Sequence, residues 1–212
     1  MSYGVHSRDY LRRARFRLDQ TTHEALFYAA FELRCGVEAR MQQYLETQLK
    51  IDKKLRIGWR IADLSKQLQK RFKLGDKAAE ILVLSEDGAN YFATFYYTPV
   101  TSKLKNMAER LGEHCHAAKY YGPDDPWWNR FRSYLEDVYS ELSMANRGSL
   151  LGPPLRDRRT GRVSLFVESA EGEDPRVLLK ALGKKGEKRL VRVRYLDNLP
   201  DDKEPVSNPE DG

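Results

Sequence analysis

Cysteine is scarce. Cys35 and Cys115 are the two in a chain of 212 residues, which excludes a disulfide framework and any cysteine-rich zinc module. Apolar runs such as Ile81-Leu82-Val83-Leu84 are short, far below the roughly 20 residues that a membrane-spanning helix needs. The opening Met-Ser-Tyr-Gly-Val-His leads straight into a basic segment and lacks the apolar stretch of a secretory leader. Together these absences predict a cytoplasmic protein in a reducing compartment, with no membrane association. Histidine is rare too: there are four, so any clustering among them carries weight.

What is present supports a folded chain. Hydrophobic residues make up 41% of the sequence, enough for the core of one domain, or of one domain with a small appendage. Charge is unevenly spread. Residues 1–77 hold 17 Lys/Arg against 9 Asp/Glu, a net of +8, while the remainder holds 20 against 22, a net of −2. The excess lies mainly in Arg12-Arg13-Ala14-Arg15-Phe16-Arg17 and in 50–60. Such asymmetry suits an anionic partner, nucleic acid being the commonest, although a solvated helical surface has the same composition.

Apolar spacing predicts helices over 7–19, 22–49 and 59–72, with Ser7 as N-cap of the first and Thr21 or Thr22 as N-cap of the second. In the second, Leu26, Phe27, Ala30, Phe31, Leu33, Val37, Met41, Tyr44, Leu45 and Leu49 share one broad face. The period then changes to that of strands over 80–84 and 90–97, joined through Gly88 as a hairpin. Helices resume over 101–118 and 126–144, with Pro126 in the first turn of the latter. Residues 146–154 have linker composition. Alternating strands at 162–168 and 189–195, with a short helix at 175–182 between them, form a small α+β appendage. An acidic, proline-bearing tail over 199–212 is expected to be disordered. The expected organisation is therefore a helical body over 1–146 carrying the hairpin 80–98, an appendage over 147–198, and the tail.

Three constellations carry chemistry. Arg34 and Glu38 lie one turn apart inside the apolar sector of the long helix, near Phe27 and Phe31. They form either a buried ion pair that fixes packing or part of a site lining, because charges enter a core only with partners. The stretch 109–121 gathers Arg110, Glu113, His114, His116, Lys119 and Tyr120, including two of the four histidines. Histidine moves protons near neutral pH, and arginine grips a phosphate. Metal-independent RNA cleavage needs those two abilities, since the ribose 2′-hydroxyl is the nucleophile. His114 borders the stripe of Leu104, Met107 and Leu111, so a core histidine is the competing account; His116 lies off that stripe. A zinc site at His114-Cys115-His116 is disfavoured because adjacent helical residues diverge. Tyr120-Tyr-Gly-Pro-Asp-Asp-Pro-Trp-Trp128 reads as a rigid corner or as a base-stacking surface.

A helical body in which a late helix carries Arg, a short spacer and His resembles the HEPN superfamily, whose signature is Arg, four to six residues, then His. Arg110 and His116 fit it with five residues between them. The flanks Leu111-Gly112 and His116-Ala117, and Glu32-Leu-Arg-Cys-Gly-Val-Glu-Ala-Arg40 in the earlier helix, are also similar to that superfamily. The resemblance spans about residues 5–145. It implies a mainly α, HEPN-like helical bundle, here with a β-hairpin insertion and a small α+β C-terminal appendage.

In function, the resemblance implies a metal-independent endoribonuclease of a bacterial defence or toxin-type system, acting as a homodimer whose two Arg–His motifs face one cleft. Arg110 would orient the scissile phosphate and His116 would act as general acid or base, with His114 as a further catalytic candidate. Lys119, Tyr120 and Glu113 would line the cleft, Arg12 and Arg13 would contact RNA phosphates, and Arg34 with Glu38 would support the site from behind. No cofactor and no metal are implied; RNA, a second copy, and an antitoxin or defence-system protein are the expected partners. The alternative is a catalytically inactive HEPN-like module that binds a protein or nucleic acid. It is favoured by Leu111, which stands where active members carry a polar residue. No helix-turn-helix spacing is legible, which ranks a DNA-binding regulator last.

Overall fold

A computed structural model describes residues 4–49, 60–114, 124–156, 159–161, 163–168, 188–197 and 199. The chain divides into two compact units, Met1–Asp76 with Pro99–Arg147, and Lys77–Thr98 with Gly148–Gly212.

The first unit is helical. Its elements are α1 (Ser7–Leu18), α2 (His23–Leu49), α3 (Ile61–Phe72), α4 (Ser102–His114) and α5 (Asp125–Asn146). Helix α2 is the central post. Leu26, Leu33, Val37, Met41 and Leu45 bury against Ala14 and Leu18 of α1, Leu64 of α3, Leu104 and Leu111 of α4, and Leu135, Val138 and Leu142 of α5. Small residues set the approach distances. At Gly36 of α2, a Cβ would stand 2.7 Å from Leu142 Cδ2 and 3.2 Å from Tyr10 Cβ, so a side chain there would push neighbouring helices apart.

The helix starts follow local chemistry. Thr22 caps α2, its Oγ1 accepting from Ala25 N–H at 3.3 Å. Asp124 caps α5 by accepting from Trp127 N–H at 2.9 Å, with Pro126 in the first turn as expected. Ser7 is not the N-cap of α1: it lies within the helix, buried, and His6 takes the cap position. The Ser7 hydroxyl donates to the Gly36 carbonyl at 2.8 Å and accepts from Asn146 Nδ2 at 2.9 Å, tying α1 to α2 and α5. A buried Arg40 makes a second tie, donating through Nε to Tyr44 Oη at 3.0 Å and to the Ala145 carbonyl at 3.1 Å. A cation at those last carbonyls of α5 meets the negative end of its dipole.

The second unit holds β1 (Ala78–Ser85), β2 (Tyr91–Tyr97), β3 (Leu155–Arg156), β4 (Val163–Ser164) and β5 (Arg189–Leu196). One antiparallel sheet has the order β2-β1-β5, and β3 pairs with β4 separately. The hairpin forms through Gly88 at φ 76°, as its sequence predicts. It interrupts the helical unit in sequence, between Asp76 and Pro99, but it belongs to the second unit. Strand β1 pairs along its whole length with β5, from Ala78 opposite Leu196 to Ser85 opposite Arg189, so 78–97 and the C-terminal segment build one sheet. An isolated hairpin is marginal, and an alternating strand recruited from far along the chain covers its open edge. Glu80 on the central strand is buried between its cross-strand neighbours: it accepts from Tyr96 Oη at 3.2 Å and pairs with the Arg194 guanidinium.

The segment read as a linker also joins this unit. Gly148 N–H donates to Thr98 Oγ1 at 3.1 Å, and Leu150 N–H to the Tyr96 carbonyl at 3.0 Å. Of the strand expected over 162–168, Val163–Ser164 and an isolated bridge at Val167 are described. The helix expected over 175–182 and the tail over 200–212 lie outside the described residues. Among the described residues, no helix is long and apolar enough to cross a membrane.

Candidate functional site

The motif-bearing helix α4 is anchored by Leu104, Met107, Ala108 and Leu111, all buried. Because Leu111 points into the core, its neighbour Arg110 is turned outward and is exposed. Its guanidinium lies 5.1 Å from the centre of the Tyr134 ring. Tyr134 is itself held in place, its hydroxyl donating to the Met107 carbonyl at 2.8 Å. Among the described residues Arg110 forms no ion pair with a carboxylate. Leu111 is thus the anchor that aims Arg110 outward.

His114 lies one turn further along α4 and is half-buried. Its ring packs 4.7 Å from Phe131 and 6.0 Å from Trp127, both on α5. Burial lowers its pKa from the ordinary 6.5, and the nearby Arg110 charge acts in the same direction, while Glu113 opposes them. The imidazole is therefore neutral at neutral pH, an acceptor as well as a donor. His114 proves to be both near the core stripe and next to the exposed arginine.

The Arg34–Glu38 pair also belongs to this corner. Arg34 Nε donates to Glu38 Oε1 at 3.1 Å, and the two side chains remain 25% and 19% exposed. They are not fully buried, because the apolar sector of α2 is wider than the contact it makes. Phe27 and Phe31, expected in the core, are 37% and 51% exposed at its edge. Arg34 leaves that edge toward α4, where its guanidinium fills the space a side chain at Gly112 would occupy. The glycine therefore admits the arginine against the helix that carries Arg110 and His114. Burial raises the Glu38 pKa, partly offset by Arg34. On its other side, Glu38 lines a half-open cavity of about 340 Å³ with Val5, His6, Tyr10 and Cys35.

Aromatic residues surround the corner. Trp127 packs 5.0 Å from Phe131, and Phe27 meets Trp128 edge-on at 5.6 Å. His23 stacks flat on Trp128 at 4.0 Å and 4°. Trp127-Trp128 thus form a packed corner, as one of their two sequence readings held. Tyr134 and Phe131 come to this corner on α5 and His23 at the start of α2, so their meeting with α4 had no sequence signal.

Arg12 and Arg13 are committed elsewhere. Arg12 pairs with Asp9 at 2.9 Å, and Arg13 with Glu32 at 2.9 Å and the Gly4 carbonyl at 2.8 Å. Those contacts tie both guanidiniums to α1, α2 and the N-terminal segment rather than to the α4–α5 corner. His116, Lys119 and Tyr120 lie outside the described residues, as does Cys115. Among the described residues, no group of three or more histidine, cysteine or acidic side chains is placed to hold a metal ion.

The arrangement offers an outward arginine, a neutral histidine on the same helix face, and a second guanidinium beside them. Such a set can bind a phosphate and move a proton. No family model, curated protein or solved structure matches the chain.

Proposed function

We propose that this chain is a HEPN-like protein acting on RNA in the cytoplasm, as a metal-independent endoribonuclease of a bacterial defence or toxin-type system. The observation that carries this is Arg110: exposed, held over Tyr134, unpaired with any carboxylate among the described residues, and one turn from a neutral His114. In the proposed reaction Arg110 grips the scissile phosphate. A general base, His116 or His114, takes the proton of the ribose 2′-hydroxyl. The 2′ oxygen attacks phosphorus, the bond to the 5′ oxygen breaks, and the other member of the set returns a proton to that leaving oxygen. The products are a 2′,3′-cyclic phosphate and a free 5′-hydroxyl. Glu113, Lys119 and Tyr120 line the cleft, and Arg34 and Glu38 hold its rear wall through Gly112. A second copy of the chain completes the cleft, and an antitoxin or defence protein restrains it.

The test is cleavage of unstructured RNA by the purified protein in EDTA, beside Arg110→Ala and His116→Ala proteins. Cleavage that each substitution abolishes is expected.

A catalytically inactive module that binds a partner is the second account. It is favoured by the close packing of His114 against Phe131 and Trp127, which limits the access of substrate to that ring. On that account neither substitution changes growth on overexpression, and binding to the partner survives both.

A further inference from the structure

Of the four arginines in the run 12–17, three pair with carboxylates. Arg12 pairs with Asp9, Arg13 with Glu32, and Arg15 with Glu136 through two hydrogen bonds of 2.8 and 2.9 Å. Arg17 is different. It forms no ion pair with a carboxylate among the described residues, and its guanidinium lies 5.5 Å from the Phe16 ring and 5.2 Å from the Tyr28 ring. Both rings are turned to solvent, Phe16 at 63% and Tyr28 at 58% exposure. Phe31, three residues beyond Tyr28 on α2 and so on an adjoining face, extends the exposed aromatic surface.

Two large rings turned to solvent beside a cation with no carboxylate partner among the described residues offer a ligand flat apolar surface and positive charge together. The occupant must offer flat aromatic surface and negative charge together, at a part of the chain whose residues 1–77 carry a net +8. Single-stranded RNA has both at each nucleotide: an unpaired base to stack on a ring and a phosphate for the guanidinium. Paired bases hide their faces within the duplex, so double-stranded RNA lacks the first.

We infer that Phe16, Arg17 and Tyr28 form a stacking platform that holds unpaired nucleotides of single-stranded RNA, a binding surface additional to the Arg110–His114 corner. It rests on the proposal that the protein acts on RNA, and it adds base stacking to the phosphate contacts expected of Arg12 and Arg13.

The experiment is fluorescence anisotropy of the full chain with a short, unstructured 2′-O-methyl RNA, which lacks the nucleophile and cannot be cleaved. Phe16→Ala with Tyr28→Ala should weaken binding by about tenfold or more. Arg17→Gln should also weaken it and reduce the salt dependence by about one phosphate contact. Tyr28→Trp should retain affinity, and its indole fluorescence should be quenched by the bound RNA. All positions are at the surface, and a thermal melt checks that the variants keep their fold. Binding by the parent that the double alanine variant leaves unchanged overturns the platform while leaving the RNA-acting proposal standing. An equal loss on a duplex of the same sequence overturns stacking as the cause. If the parent neither binds single strands nor cleaves RNA, the underlying proposal fails and takes the platform with it.

Discussion

Gly112→Ala is the substitution whose sign is most revealing. In an ordinary helix interior the change stabilises by about 1 kcal/mol, because glycine loses more backbone freedom on folding. Here the new methyl would occupy the space of the Arg34 guanidinium. That group is the far end of a flexible, partly exposed side chain, so it can swing aside. Doing so gives up the hydrogen bond to Glu38, a one-turn pair whose side chains are 25% and 19% exposed, worth about 0.5–1.5 kcal/mol. The net change is within about 1 kcal/mol of zero, or a few degrees of melting temperature for a chain of this size. Gly36→Ala is the control. Its methyl would meet Leu142 and Tyr10 on packed helices, where overpacking costs about 1–3 kcal/mol and outweighs the helix gain. Circular dichroism melts should therefore separate the two, with Gly112→Ala close to the parent and Gly36→Ala clearly lower. RNA cleavage or binding should show the reverse order of injury for Gly112→Ala, whose damage is to the placement of Arg34. A loss of about 2 kcal/mol or more for Gly112→Ala would refute the claim that the glycine serves the arginine rather than the packing.

Two further outcomes test the electrostatics. The lowered pKa of His114 means that the unfolded chain takes up a proton there before the folded one does. Its contribution to stability is complete above about pH 6.5 and is lost as pH falls below that value. Urea denaturation of the parent and His114→Gln should show a stability difference that is constant at pH 7–8 and shifts against the parent toward pH 5; a shift in its favour would mean the imidazolium has a partner. Replacing the buried Arg40 by Met removes donors from Tyr44 Oη and the Ala145 carbonyl, at a cost of about 2–3 kcal/mol. A melt unchanged from the parent would show that the α5 carbonyls do not need it.

Helices α1, α3, α4 and α5 were legible because each presents a local apolar period, and the cap at Thr22 and the proline at 126 follow from chemistry within a single turn. The hairpin was legible for the same reason. Its partner was not: β5 lies about a hundred residues away, and nothing in an alternating strand names the strand it will pair with. Helix α2 shows a different limit. Apolar residues occupy most of its circumference, so periodicity does not reveal that Leu26 and Leu33 are inside while Phe27 and Phe31 stand at an exposed edge. Charge counting does not show which carboxylates the arginines meet: Asp9, beside Arg12, is local, but Glu32 is brought to Arg13 by the packing of α1 on α2. Within the candidate site, one-turn spacing shows that Arg110 and His114 share a face of α4. The fit of Arg34 against Gly112 depends on two helices meeting and has no one-dimensional signature.

The most direct test of the central claim remains the reaction itself. Purified protein should cleave unstructured RNA in EDTA, leave a 2′,3′-cyclic phosphate end, and lose that activity on Arg110→Ala. Cleavage that persists undiminished in the Arg110→Ala protein would contradict the account.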